Sequence, residues 1–176
     1  KWLDRKNNFH PRFLATIKPL KGLSLALSYS YELVDEDIMR KPVLLEGWNF
    51  LTDQVTYTTK TKFNITNEDN KIERYFNDAV LRYHHKFFKN SLTLDYMLGA
   101  SQELYRAKNL HVTKQDMIDL DMSVIDGATG QASANGGISE WAMRSVFSRL
   151  NLNWQDRYLL EFNLRADGTS RFMKNK

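Results

Sequence analysis

The chain has 176 residues, 25 Lys and Arg against 21 Asp and Glu, and a formal charge of +4, so its length predicts roughly one domain. No apolar run exceeds three residues, which excludes a transmembrane helix and a signal-peptide core, and zero Cys excludes disulfides, thiolate catalysis and Cys-type zinc sites. Aromatic content of 12% suits a β-protein, and a β-barrel stays open because it hides its apolar residues at alternate positions.

In chain order, Phe13–Lys18 alternates with Phe13, Ala15 and Ile17 on one face. Pro19-Leu20-Lys21-Gly22 predicts a tight turn, Pro setting φ and Gly accepting a positive one. Leu23–Leu33 is the clearest strand: Leu23, Leu25, Leu27, Tyr29, Tyr31 and Leu33 oppose Ser24, Ala26, Ser28, Ser30 and Glu32. A long connection over 34–72 follows. It carries the acidic triplet Asp35-Glu36-Asp37, read as a solvated tip because it lacks calcium-loop spacing. It also carries Trp48 and Asn49, and the β-like stretch Gln54–Thr66.

Arg74–Phe87 alternates next, with Tyr75, Ala79, Leu81, Tyr83 and Phe87 on one face beside Asn77 and His85, and Arg74, Asp78, Arg82, His84 and Lys86 on the other beside Phe76 and Val80. After a turn at Lys89-Asn90 comes Leu92–Ser101. The stretch from about Tyr105 to Glu140 reads as irregular, with Asp126–Gly137 a flexible small-residue loop lacking phosphate-cradle spacing. A last hairpin runs Ala142–Trp154, turn Gln155-Asp156, Arg157–Asp167, with Tyr158, Leu160, Phe162 and Leu164 on its apolar face.

Strands of this length exceed the usual ~5–6 residues and reach the ~9–11 needed to cross a bilayer at a tilt. Short turns alternating with long connections match an outer-membrane barrel. If all three short turns lie on the periplasmic side, two crossings fill each interval between them. Gln54–Thr66 is then no crossing. It becomes an extension above the membrane, turning at Asn67-Glu68-Asp69-Asn70 and pairing with the top of the next strand. Six crossings cannot close a barrel, which needs about eight strands or more. The expected fold is therefore all-β: an antiparallel transmembrane β-barrel segment with long extracellular loops. The whole of 1–176 reads as a piece of a larger wall, without a signal peptide.

The C-terminal third carries a resemblance. Phe147, Arg149, Leu150, Asn151, Asp156, Arg157, Tyr158, Leu159, Leu160, Arg165, Asp167, Gly168, Thr169, Ser170, Arg171 and Phe172 match, in sixteen of 26 positions, a stretch typical of the SusC/RagA family of TonB-dependent outer-membrane transporters. Trp154 stands where a Tyr is usual. Tyr83–Phe87 with Ser91–Gly99, and Pro19–Leu23, resemble further hairpins of that family more loosely. The resemblance implies a barrel of about 22 strands plugged by an N-terminal domain. It also implies energy from TonB, a SusD-like surface lipoprotein as partner, and import of glycans or peptides in Bacteroidota; set against that pattern, 1–176 reads as barrel wall without the plug domain or the TonB box.

Trp48 and Asn49 are the candidate cargo contacts, because aromatic loop residues make stacking platforms; Trp48 packing under its own loop is the competing reading. Arg165, Asp167, Gly168, Ser170, Arg171 and Phe172 read as a structural turn whose charges stiffen the strand top. His84 and His85 are adjacent, face opposite sides of a strand and cannot share a metal. No nucleophile elbow or placed carboxylate pair signals an enzyme, and no cofactor is implied. Aromatics and Lys/Arg lie on different faces, which argues against nucleic acid. Tyr29, Tyr31, Trp154 and Tyr158 fit girdles at the surface of outer-membrane lipid. Two other functions remain open: a soluble β-sandwich carbohydrate-binding module using Trp48, and a small eight-stranded barrel.

Overall fold

The computed structural model describes residues 2–43, 46–58, 63–89 and 91–171. Among these residues lie nine strands: β1 Trp2–Phe9, β2 Arg12–Leu20, β3 Leu23–Arg40, β4 Glu46–Asn49, β5 Gln54–Thr58, β6 Ile65–Phe87, β7 Leu92–Lys114, β8 Ala132–Trp154 and β9 Tyr158–Thr169. One sheet has the order β1-β3-β6-β7-β8-β9, with β2 also paired to β3; β4 and β5 form a separate pair. β1 and β2 thus share one neighbour. They pair with β3 on either side of His10-Pro11, where Pro lacks an N–H to offer a ladder, and count as one line of the sheet. The Pro11 carbonyl still accepts from the Tyr31 amide at 3.1 Å. The wall therefore has the six lines expected, meandering between neighbours.

The chain divides into two compact units. The first comprises Phe9–Leu33, Glu73–Arg106 and Glu140–Lys176. Its period-two pattern gives it one polar face, along which Ser28 donates to Asp78 and Arg74 bonds Glu32 at 3.0 Å. The opposite face carries the Leu and aromatic set. Tyr29 lies 6.4 Å from Phe13 and Tyr31 lies 4.8 Å from Tyr75, ring to ring. On this face Phe13, Leu160, Phe162 and Leu164 are all exposed. Among the described residues only Ile65, Val80 and Ala128 are buried apolar side chains. No second layer covers this sheet, so a β-sandwich, which must bury one face of each sheet, is not favoured.

The short turns share one edge of this unit. The His84 amide donates to the Gly22 carbonyl at 2.7 Å, and the Gln155 amide to the Ser91 carbonyl at 2.8 Å. The first turn is tighter than expected: Pro19 and Leu20 belong to β2, at a register shift, and only Lys21-Gly22 bend. At the last turn Gln155 and Asp156 both have positive φ, 53° and 54°, and Arg157 N–H bonds the Trp154 carbonyl at 3.0 Å. That is a type I′ turn, which favours Asn-Gly. Asn153 holds it open for other residues, donating to Asp156 Oδ1 at 2.7 Å and accepting from the Asp156 amide at 3.0 Å. Replacing Gln155-Asp156 by Asn-Gly is expected to raise stability by about 0.5–1 kcal/mol. Denaturant unfolding of the refolded protein in detergent measures it; a lower midpoint would count against the turn assignment.

The second unit comprises Lys1–Asn8, Val34–Ile72 and Ala107–Ser139. Here the structure corrects several expectations. β3 does not end at Leu33, and the Asp35-Glu36-Asp37 triplet is no tip: it lies inside β3, with Glu36 bonded to Lys6 at 3.4 Å and to Asn70 at 3.4 Å. Asn67–Asn70 is not a turn, because it lies inside β6, where Glu68 pairs with Arg40 at 2.8 Å and with His111 at 3.3 Å. Of the stretch Gln54–Thr66 expected outside the wall, Gln54–Thr58 pairs with β4 and not with the next strand, whereas Ile65 and Thr66 belong to β6 of the wall itself; residues 59–62 lie outside the described residues.

The supposedly irregular 105–140 is mostly strand, since β7 runs to Lys114 and β8 starts at Ala132. Cross-strand pairing overrides the weak local preference of the small residues there. What remains, 115–131, is closed by Gln115 N–H to Gln131 O at 3.1 Å and Gly130 N–H to Gln115 O at 2.8 Å.

Candidate functional site

The family-signature residues sit on β8 and β9 in the first unit. Antiparallel register places Asp167 opposite Ser145 and Arg165 opposite Phe147. Arg165 Nε donates to both oxygens of Asp167, at 3.0 and 2.9 Å, and its Nη2 reaches the buried Ser145 hydroxyl at 3.5 Å. Gly168 faces Arg144 across the ladder. Ser170 prolongs the pairing beyond β9: its amide donates to the Ala142 carbonyl and its hydroxyl accepts from the Ala142 amide, both at 2.9 Å. These contacts make Arg165, Asp167 and Ser170 parts of one strand terminus, and Phe172 lies outside the described residues.

Arg171 leads to something the sequence reading missed. Its guanidinium lies 4.7 Å from the centre of the Trp141 ring, which stacks on Tyr105 at 5.3 Å and 17°. Arg74 lies 5.6 Å from the centre of Tyr105 and bonds Glu32 at 3.0 Å and Glu103 at 3.4 Å. The result is a row across five neighbouring lines, Glu32–Arg74–Tyr105–Trp141–Arg171, in which two guanidinium groups flank a stacked pair of rings. A guanidinium over a ring contributes about 0.5–1 kcal/mol where exposed, and the planar groups can stack on or hydrogen-bond to a passing polar solute. Tyr105 and Trp141 escaped notice because both fall at the margins of the stretch read as irregular; their spacing from the strand on either side was the available signal.

Trp48 and Asn49 lie in the second unit, so the structure does not join them to the signature. Trp48 is 48% exposed on β4 and donates from Nε1 to Asp53 Oδ1 at 3.2 Å. Asn49 is turned inward on its own hairpin, its Oδ1 accepting from the Leu51 amide at 2.9 Å. That bond fixes the bend, a local turn role that leaves less of Asn49 for a ligand. The hairpin tip presents Phe50 and Leu51, 91% and 97% exposed, which the sequence reading passed over.

The histidines divide as expected. His84 Nδ1 lies 2.6 Å from Asp95, whereas His85 sits between Tyr83 and Phe87, at ring distances of 5.9 and 4.4 Å. Among the described residues no group of three or more His, Asp or Glu could hold a metal ion. No helix is long and apolar enough to cross a membrane, which says nothing about crossing by strands.

No family model matches the sequence, and no curated protein matches it significantly. Solved structures do match. A chain of the RagAB peptide transporter superposes with a TM-score of 0.85 at 14% identity, over 98% of this chain and 18% of that one. The RagAB peptide importer in its open-open state gives 0.85 at 16% identity, over 100% and 19%. The closed-closed state gives 0.75 at 16%, over 98% and 18%. This chain has the fold of a segment of the RagAB transporter chains. It spans under a fifth of the length of the chains it matches. At these identities the likeness concerns the fold, and it agrees with the family that the β8–β9 residues resemble.

Proposed function

We propose that residues 1–176 form part of the barrel wall of a TonB-dependent outer-membrane importer. The observation that carries this reading is a convergence. Sixteen positions between Phe147 and Phe172 resemble the SusC/RagA stretch, and the whole chain matches the fold of RagAB transporter chains at an identity too low for the motif to explain. On this reading the apolar face meets outer-membrane lipid and the polar face lines the translocation path. The turns at 21–22, 88–91 and 155–156 are periplasmic, and the β4–β5 hairpin is extracellular. β1–β2 and β9 are open edges that pair with further strands of a larger barrel, since an unpaired edge in lipid leaves backbone groups unsatisfied.

Peptide is the favoured cargo, because the matched structures are named as peptide transporters and importers; oligosaccharide is the other cargo the resemblance implies. A SusD-like lipoprotein is the expected partner on the extracellular side, and TonB acts through parts outside this chain. Trp48 and the exposed tip beside it are the candidate contacts for cargo or partner.

The test is fractionation followed by transport. The protein carrying this segment is expected in the outer-membrane fraction, released only by detergent, and cells bearing it should take up labelled oligopeptides in a manner abolished by collapsing the proton gradient. Recovery as a monodisperse species in detergent-free buffer would sink the membrane assignment. Uptake of labelled oligosaccharide but not peptide would move the cargo to glycans.

A further inference from the structure

Apart from His85 near the turns and Ser148 on β8, the apolar face of the first unit is interrupted along one row of three neighbouring strands. Asn77 on β6, Gln102 on β7 and Arg144 on β8 interrupt the Leu and aromatic pattern, and they line a common concavity of about 610 Å³. The small Ala79 and Ala100 and the apolar Leu27 and Val146 line it too, as do Ser28, Asp78, Ser101 and Ser145, of which Asp78 already accepts from Ser28. Arg144 is exposed, and among the described residues it has no hydrogen-bond or ion-pair partner, whereas Arg106 pairs with Glu140 at 3.1 Å.

The level is informative. Asn77, Gln102 and Arg144 each stand ten positions from the turn end of their strand, at Phe87, Leu92 and Trp154 respectively. A tilted strand crosses the hydrocarbon in ~9–11 residues, so this row emerges at the far interface and not at mid-bilayer. An unpaired guanidinium facing hydrocarbon is unfavourable, and it becomes favourable where it meets an anionic headgroup. Two neutral amides beside it supply further donors for phosphate oxygens, and the small Ala79 and Ala100 leave room for an acyl chain between Leu27 and Val146.

We infer that Asn77, Gln102 and Arg144 form a binding site for the phosphate-bearing headgroup of an outer-leaflet lipid. This rests on the reading of the chain as a membrane wall. It adds a lipid ligand on the face away from the cargo path.

The experiment is native mass spectrometry of the full-length protein in non-ionic detergent, titrated with lipid A or with its dephosphorylated form. Lipid A is expected to bind, and the dephosphorylated form at least about tenfold more weakly, equivalent to about 1.4 kcal/mol. Arg144→Ala should cost a similar factor, Arg144→Lys should retain most binding, and Lys89→Asn, at the turn end of the wall, should change nothing. Equal binding of the two lipids, wild-type binding by Arg144→Ala, or an equal loss in Lys89→Asn would overturn the site. Full competition by inorganic phosphate would show an anion site in place of a lipid site and overturn it too. Failure of the underlying wall reading shows itself separately, as a protein monodisperse without detergent. Because Arg144 is exposed, its variants should keep the heat-modifiable gel mobility of a folded barrel.

Discussion

Replacing Gly22 by alanine is expected to lower stability by about 3 kcal/mol, the largest effect of any single methyl added to this wall. Two causes combine. Gly22 has φ of +82°, which disfavours a residue bearing Cβ by about 1–2 kcal/mol. The added Cβ would also stand 2.1 Å from the His84 carbonyl oxygen, well inside van der Waals contact. The turn cannot simply swing away, because the Gly22 carbonyl accepts the His84 amide at 2.7 Å and that bond ties the β2–β3 turn to β6. Breaking it costs about another 0.5–1.5 kcal/mol. Guanidinium unfolding of the refolded protein in detergent provides the measurement, with Gly22→Asn beside Gly22→Ala. Asn tolerates positive φ but carries a Cβ, so near-equal losses for the two would assign the effect to the contact with His84. A loss below about 1 kcal/mol for Ala would mean that the turn relaxes freely and the close approach is not a constraint.

The fold was legible where one face of a strand is apolar and the other polar. Leu23–Leu33 and Tyr158–Leu164 alternate cleanly because their two faces meet different surroundings, and a one-residue slip would exchange every side chain between them. The same strands became illegible where both faces are polar. Val34–Arg40 and Ile65–Ile72 carry charges on either side, and Ala107–Lys114 puts Lys108 and Lys114 on the face of Leu110 and Val112 opposite the polar Asn109, His111 and Thr113, so period two leaves no trace in hydropathy, and Asn67–Asn70 then looks like turn chemistry. What holds them in strands is pairing with partners distant in sequence, such as Arg40 with Glu68 and Glu36 with Asn70.

The candidate site divides in the same way. The signature was found as a string, but its Arg171 acquires meaning only from Trp141, thirty positions earlier and adjacent only after β8 and β9 pair. Trp48 was legible as an exposed aromatic, and the reach of Asn49 back to the Leu51 amide was not, since an Asn in a loop suits a ligand and a turn equally well. A sequence pattern reports which face a residue takes. It does not report which side chain on the next strand has already claimed its hydrogen bonds.

Gly99→Ala and Phe147→Ala should each destabilise the wall, and the two losses should not add. The ring of Phe147 lies directly on Gly99: a Cβ built there would sit 2.3 Å from two of its carbons. An aromatic laid over a strand glycine from the neighbouring strand covers backbone that would otherwise lack packing, and compensates for the weak strand preference of Gly. Both residues belong to stretches that resemble the transporter family, and their contact supplies a physical reason for finding them together. Alanine at position 99 forces the ring out of its rotamer or off the strand, at about 1–3 kcal/mol. Alanine at position 147 removes the ring and uncovers the glycine, at about 1–3 kcal/mol. With the ring gone, the three atoms nearest a methyl at position 99 are gone too, and the methyl restores some strand preference, so the double variant should be no less stable than Phe147→Ala alone. The double-mutant cycle should therefore show a coupling of about 1 kcal/mol or more. Simple additivity of the two losses would show that the ring turns aside without cost, and that the glycine is needed there for some other reason.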